Sequence, residues 1–181
     1  PKHVYREYVL ATVKEYRNWM SWNAAEEMSQ KEADAVLSDP KLGKQVMRLR
    51  NCYRDKNVGM GELKAKARTV VIGCAHPRLA EMARYSPTTT RLSFFVIVQV
   101  YTSNRGRGWK MAVADMEAAY LQKLTHKVRI NDMDIYLLPP RDPISKDAGV
   151  FPAPLYKKTG NIYGMPDAGL QWSLEVRHRF H

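Results

Sequence analysis

The most constraining feature of this 181-residue chain is a regular alternation of basic and apolar side chains in its second quarter. In the stretch QVMRLRNCYR, Arg48 and Arg50 alternate with Met47 and Leu49. This period-two pattern is typical of a β-strand that exposes its arginines on one face. A turn rich in asparagine and glycine follows, and then a second basic strand, KAKARTVVI. The sequence therefore predicts a basic β-hairpin over residues 45–72.

The positive charge of the chain is concentrated in its middle, around this hairpin. The formal net charge is +11, and residues 41–68 contain nine basic and two acidic side chains. Clustered cations suit a phosphate backbone because they release its condensed counterions. They also occur on surfaces that are simply solvated, and the residues alone leave both interpretations open. As a nucleic-acid contact, the hairpin offers Arg48, Arg50 and Lys64.

The composition favours a folded protein of a reducing compartment. Hydrophobic residues make up 45% and aromatic residues 10%, too much for a disordered chain. No stretch approaches 18 uninterrupted apolar residues, and the first residues lack the apolar core of a secretory signal. The two cysteines are too few for a disulfide framework. We expect an intracellular protein, cytoplasmic or nuclear, that is neither secreted nor bound to a membrane.

The first 40 residues are predicted to be helical. Apolar residues recur every three or four positions across residues 4–28. Ser29 and Glu32 then have the spacing of a capping box, which predicts a short second helix. The sequence Ser38-Asp39-Pro40 is expected to end it.

The remaining segments predict a mixture of helices, a strand and a loop. Residues 86–103 combine a threonine cap signal with a long apolar run, whose length favours a buried helix over a strand. The run MAVAD at 111–115 predicts a buried strand, and residues 117–124 predict a helix. The proline-rich segment 141–154 is expected to be a loop.

Asp115 is the most specific candidate for a catalytic or metal-binding residue. A carboxylate at the end of a buried strand can bind a hard cation. The other interpretation is an aspartate that caps the next helix, and both remain open. From its residues alone, the chain is predicted to be a basic α+β domain that binds nucleic acid.

Four segments also occur in a distinctive order. They are KAKARTVVIG at 64–73, YSPTTTRLS at 85–93 with RGWKMAVADMEAAYLQ at 107–122, DIYLLPP at 134–140, and NIYGMPDAGLQW at 161–172. Together they resemble the reverse transcriptase domain of Copia-type long-terminal-repeat retrotransposon polyproteins, over about residues 11–180. The resemblance implies an α+β fingers-and-palm polymerase fold with an incomplete palm. It would comprise N-terminal helices (1–40), a basic fingers-like region (41–110) and the first part of the palm (111–181).

The resemblance also implies roles for particular residues. Asp115 matches the first catalytic carboxylate, which would hold two Mg²⁺ ions with help from the carbonyl of Met116. Tyr120 matches the aromatic residue that excludes a 2′-hydroxyl. Lys66 and Arg68 match the basic pair near the incoming triphosphate or the template. The segment that would line the nucleotide and the template contains Tyr163, Gly164 and Asp167.

The function that the resemblance implies is RNA-directed DNA polymerisation. The partners would be an RNA or DNA primer-template, deoxynucleoside triphosphates and the remainder of the Pol polyprotein. The family's second signature, a tyrosine, any residue and two aspartates, does not occur in this sequence. We therefore expect no polymerisation by this chain alone. The alternative is a non-catalytic reverse-transcriptase-like module, co-opted or decayed, that binds nucleic acid.

Overall fold

The computed structural model describes residues 2–113, 115–122 and 133–180, which contain five α-helices and five β-strands. In chain order they are α1 (Lys2–Ser21), β1 (Ala25–Met28), α2 (Gln30–Ser38), β2 (Val46–Asp55), β3 (Ala65–Val71), α3 (Arg91–Asn104), β4 (Tyr136–Leu138), α4 (Pro143–Asp147), β5 (Leu155–Lys158) and α5 (Ala168–Phe180). This mixture confirms the predicted α+β class. The finer assignment to fingers and palm stays a prediction.

The five strands form one mixed sheet in the order β1-β5-β4-β2-β3. β2 and β3 are antiparallel, with Arg54 opposite Lys66, and β4 runs parallel to β2. The pairs β4–β5 and β1–β5 are antiparallel. The predicted basic hairpin is thus confirmed, and it forms one end of the sheet. The sheet draws strands from each of the three segments into which the resemblance divides the chain.

The main core lies between α1 and one face of the sheet, which we call the inner face. Trp19 of α1 is completely buried, and its ring meets that of Phe151 edge to face at 5.7 Å. From the sheet, Met47, Leu137 and Tyr156 pack into the same cluster. Each such side chain stabilises the fold by roughly 1.5–3 kcal/mol when it is buried.

The opposite, outer face of the sheet is covered at one end by α2. Ala33 and Val36 of α2 pack on Tyr136 of β4 and Leu155 of β5. The capping box that begins α2 is confirmed, because the Ser29 hydroxyl accepts from the Glu32 backbone and the Glu32 carboxylate accepts from the Ser29 backbone. At the β2–β3 end, the basic side chains on the outer face are exposed or half-buried.

The free edge of β3 is closed by contacts with distant segments. The backbone N–H of Thr69 donates to Oε1 of Glu15 on α1, with 3.3 Å between nitrogen and oxygen. The N–H of Val71 donates to the carbonyl of Tyr163 at 2.9 Å. These bonds satisfy an edge that would otherwise be open to pairing with another strand.

The N-terminal helix is shorter than the sequence predicts. It ends at Ser21, and Ala25–Met28 is a strand that pairs with Leu155–Lys158. Asn23 between them has a φ of +48°, which turns the chain out of the helix. Pairing with a strand more than 120 residues away overrides the local helical pattern.

The apolar segment after residue 90 is a helix, but it is not buried. The Thr90 side chain caps α3 by accepting from the Ser93 backbone. None of the 14 residues of α3 is buried, and Phe94, for example, keeps 54% of its surface exposed. The expectation of burial was wrong, since the length and apolarity of a segment do not determine what packs against it.

Two further predictions of secondary structure are wrong. Residues 111–113 and 115 are exposed and not in a strand, and residues 117–122 form turns rather than a helix. Ala118 has a φ of +49°, which is incompatible with a helix there. Residues 123 and 124 lie outside the described residues. The predicted loop at 141–154 contains the short helix α4, which begins at an Asp142 cap followed by proline.

Candidate nucleic-acid interface

The hairpin presents a row of cations on the outer face of the sheet. Alternate residues of a strand point to opposite sides, and the register places Cys52 opposite Arg68 and Arg54 opposite Lys66. The cations that share this side are Arg48, Arg50, Arg54, Lys66 and Arg68, which we call the basic face. Six residues separate the first and last arginine of β2, or about 20 Å along the strand.

The tip of the hairpin extends the same charge. Lys64 is exposed, and its backbone N–H donates to Oδ1 of Asp55 at 3.0 Å. The same oxygen accepts from the backbone of Asn57 at 2.8 Å. By the alternation of β2, Asp55 belongs to the inner side, so its carboxylate ties the turn together without entering the basic face.

The basic face is not neutralised by carboxylates. In the described ranges, none of its five cations forms an ion pair with an aspartate or glutamate. Partial burial lowers the pKa of Lys66, and the neighbouring charges of Arg68 and Lys56 lower it further. The charge of Glu15 at the edge of β3 opposes this effect. A bound polyanion would relieve the repulsion among these cations.

Arg68 joins the basic face to a pair of aromatic rings. Its guanidinium lies 4.5 Å from the centroid of the Tyr163 ring. The rings of Tyr163 and Tyr120 meet edge to face, with 5.8 Å between centroids. We call these three residues the aromatic junction. A cation–π contact of this kind contributes about 0.5–2 kcal/mol and holds the guanidinium plane in place.

Burial raises the pKa of the Tyr163 phenol, and the charge of Arg68 acts in the opposite direction. The net shift is upward, so the phenol stays neutral around pH 7. The junction therefore offers a cation and two uncharged ring surfaces beside one another.

Two glycines allow the segment that carries Tyr163 to approach β3. Gly164 has a φ of +87°, and a Cβ there would overlap the carbonyl oxygen of Val71. A Cβ at Gly73 would overlap the carbonyl oxygen of Gly164. The two backbones can touch only because both positions lack a side chain.

The other segments of the predicted order also reach this region. Ser86 Cβ lies 3.0 Å, and the Tyr120 hydroxyl 3.8 Å, from the point that a Cβ on Gly169 would occupy. β4, from the segment 134–140, pairs Leu138 with Arg48 of the basic face. All four segments therefore meet around the hairpin.

A polar network fixes the hairpin from its inner side. The hydroxyls of Tyr53 and Ser145 each donate to the Asp142 carboxylate at 2.6 Å. Nδ2 of Asn51 donates to the Ser145 hydroxyl at 2.5 Å, and the Thr69 hydroxyl donates to Oδ1 of Asn51 at 2.7 Å. Burial alone would raise the pKa of Asp142, but the donated hydrogen bonds outweigh it and lower the pKa.

The remaining predicted site residues do not belong to the basic face. Asp115 and Met116 are exposed in a segment without regular secondary structure, and Gly164 is exposed beside β3. Asp167 is buried at the start of α5, where its carboxylate accepts from Nε2 of Gln171 at 3.4 Å.

The described residues do not fit the pair of Mg²⁺ ions that the resemblance implies. Within residues 2–113, 115–122 and 133–180, no group of three or more histidine, cysteine, aspartate or glutamate side chains could hold a metal ion. A two-metal site requires more than the single carboxylate of Asp115. Mg²⁺ therefore stays a prediction, and no catalytic step is derived through it.

Three residues on or beside the basic face were not predicted as site residues from the sequence. Arg54 continues the alternation of Arg48 and Arg50, and extending that pattern by four residues would have found it. Glu15 and Arg141 carry no local signal, because only tertiary packing brings α1 and the end of β4 to the hairpin.

No family model, curated protein or solved structure matches this chain. Among the helices of the described ranges, none combines the length and apolarity needed to cross a bilayer.

Proposed function

We propose that this chain is the nucleic-acid-binding part of an RNA-directed DNA polymerase of the retrotransposon reverse transcriptase type. The observation that carries the proposal is the basic face, five cations without carboxylate partners in the described chain, beside the aromatic junction. Its partners would be an RNA or DNA primer-template, deoxynucleoside triphosphates and the rest of a Pol polyprotein. It would act inside the cell, in the cytoplasm or nucleus.

The dimensions of the basic face support binding to a nucleic-acid backbone. The row from Arg48 to Arg54 extends about 20 Å. One strand of a duplex rises about 3.4 Å per phosphate, so this length matches roughly six nucleotides. Such contacts are independent of sequence and position the backbone rather than read the bases. Aromatic rings beside the row would add surfaces on which bases or sugars can pack.

Catalysis would require more carboxylates than Asp115 alone. Asp115 and Tyr120 would take the roles that the resemblance implies only where further carboxylates complete the metal site. The second candidate, a non-catalytic reverse-transcriptase-like module, is favoured by the lack of such carboxylates near Asp115 in the described chain. The two candidates differ in whether a primer is extended in the presence of Mg²⁺ and nucleotides.

The proposal is tested by measuring binding to a fluorescent primer-template duplex between 50 and 200 mM salt. The double variant Lys66→Ala/Arg68→Ala is expected to weaken binding at least about tenfold at 50 mM salt. It should also flatten the plot of log affinity against log salt by about 2, because two phosphate contacts are lost at about 0.9 each.

The matched control is Lys14→Ala/Arg17→Ala, which removes the same two charge types from exposed positions of α1. It should leave both the affinity and the salt slope close to those of the wild type. Wild-type protein that does not bind the duplex at 50 mM salt, or a control that weakens binding as much as the hairpin variant, would contradict the proposal.

A further inference from the structure

A small recess opens on the outer face of the sheet beside the basic face. It has a volume of about 200 Å³ and is lined by Arg48, Leu49, Ile72, Leu138, Pro139 and Arg141. Arg48 faces Leu138 across the parallel strands, and the backbone N–H of Ile72 donates to the Arg48 carbonyl at 3.0 Å. The recess therefore lies where β3 and β4 both end against β2.

The lining combines an apolar floor with two cations at the rim. Leu138, Pro139 and Ile72 supply hydrocarbon surface, while Arg48 and Arg141 are exposed. Within the described residues, neither arginine forms an ion pair. A guanidinium plane can stack on a flat ring and also contact a phosphate oxygen, whereas a lysine supplies only the charge.

We propose that this recess receives a single unstacked base of a single-stranded nucleic acid, with the Arg141 guanidinium stacked on the base and the adjoining phosphate held by Arg48. This inference rests on the proposed function, since the strand would reach the recess along the basic face. Pockets for whole ligands usually measure about 300–1,000 Å³. A volume of about 200 Å³ suits one base with its sugar and phosphate outside.

The same geometry disfavours a paired base at this position. A base within a duplex is stacked on both sides and cannot enter a recess unless it is turned out of the helix, which costs a few kcal/mol. A base in a single strand pays far less, and a guanidinium stacked on its ring contributes about 0.5–2 kcal/mol. The recess thus adds a preference for single strands to a face that binds any phosphate backbone.

The experiment compares two fluorescent oligonucleotides of equal length and charge at 50 mM salt. One is a 12-nucleotide oligo(dT), and the other replaces every thymidine with an abasic residue. The wild type is expected to bind oligo(dT) about tenfold more tightly, as one base stacked on a guanidinium predicts. In Arg141→Lys, binding to the abasic strand should be unchanged, while the preference for oligo(dT) falls to about twofold or less.

The control variant is Arg17→Lys on α1, which makes the same exchange on the far side of the sheet and should keep the tenfold preference. Equal binding of both strands by the wild type, or an unchanged preference in Arg141→Lys, overturns the recess but leaves the basic face intact. Failure of the wild type to bind either strand overturns the proposed function and the recess with it. Arg141 is exposed, so a matching thermal melt is expected and establishes that the variant is folded.

Discussion

The two ends of the sheet's outer face are built in opposite ways. At the β1–β5–β4 end, Tyr136 and Leu155 point outward and α2 covers them. At the β2–β3 end, most of the corresponding outward positions hold arginine or lysine, and these side chains are exposed or half-buried. The inner face is held by apolar packing and, at the hairpin, by the Asp142 network, so the sheet's stability does not require the basic end to be covered.

This difference separates the residues that hold the fold from those available for binding. The hairpin gains its stability from its inner side, through Met47 and Leu49, the Asp142 network and the bonds at the β3 edge. Its outer side is thereby left free for a ligand. A face that contributes little to stability and carries unneutralised charge is typical of a binding surface.

The strongest test of the comparison pairs one substitution from each end. Leu155→Ala removes a completely buried side chain under α2 and should lower the free energy of unfolding by about 2–5 kcal/mol. Arg50→Ala, on the basic face, should change it by less than about 0.5 kcal/mol. Urea denaturation of both variants measures the two values.

Binding should show the reverse order for the same pair. Arg50→Ala should weaken binding to the primer-template duplex and reduce the salt slope by about 0.9, for one phosphate contact. Leu155→Ala should bind like the wild type under conditions in which it is folded. An Arg50→Ala variant that destabilises the fold as much as Leu155→Ala would remove the distinction between the two ends.

A second test targets the contact that holds the aromatic junction against β3. In Gly164→Ala, the added Cβ would overlap the Val71 carbonyl oxygen and take a left-handed backbone conformation. Strain of each kind costs about 1–3 kcal/mol, so the free energy of unfolding should fall and the Val71–Tyr163 bond should be lost. The matched control is Gly106→Ala, at a position where a Cβ meets no other atom within 4 Å.

The two glycine variants should also differ in the junction itself. In Gly164→Ala, displacement of Tyr163 takes away the ring that holds the Arg68 guanidinium in place. Binding to nucleic acid should therefore weaken, although no cation of the basic face has been removed. Gly106→Ala should keep wild-type affinity. A fully stable Gly164→Ala protein would mean that the segment can withdraw from β3 without cost.

The hairpin could be predicted from the sequence because a strand with one buried and one exposed face alternates apolar and polar residues with a period of two. Arg48, Arg50 and the apolar residues between them behave as that pattern requires. The capping boxes and caps at Ser29 and Thr90 were also predictable, since their bonds join residues three positions apart. Local chemistry determines these features.

Features that depend on distant partners could not be predicted in the same way. β1 exists because Ala25–Met28 meets Leu155–Lys158, and α3 is exposed because nothing in the described structure packs on it. The aromatic junction joins β3 to residues about 50 and 100 positions later in the chain, and no local pattern encodes those distances. The predicted order of segments contained all three residues of the aromatic junction, but it did not predict that they contact one another.

The smallest expected effect concerns Glu15, whose carboxylate lies at the β3 edge beside the basic face. Burial raises the pKa of Glu15, while the Thr69 N–H bond and the charge of Arg68 oppose the rise. A carboxyl whose pKa is raised by folding contributes stability below its ordinary pKa and loses it as the pH rises through the raised value. At pH 7 the Glu15 carboxylate is charged, and the part of its desolvation cost that its partners do not offset lowers the free energy of unfolding.

Glu15→Gln keeps an oxygen that can accept from Thr69 and removes the charge, so it should be at least as stable as the wild type at pH 7. Its advantage should vanish as the pH falls through the raised pKa, where the wild-type carboxyl is protonated. Glu15→Ala loses the acceptor and should be less stable by about 1 kcal/mol. Urea titrations at several pH values measure all three proteins.

A Glu15→Gln variant that is less stable at pH 7 would show that the carboxylate's attraction to Arg68 and Lys66 exceeds its desolvation cost. The border of the basic face would then be held by charge rather than by the backbone hydrogen bond at the β3 edge.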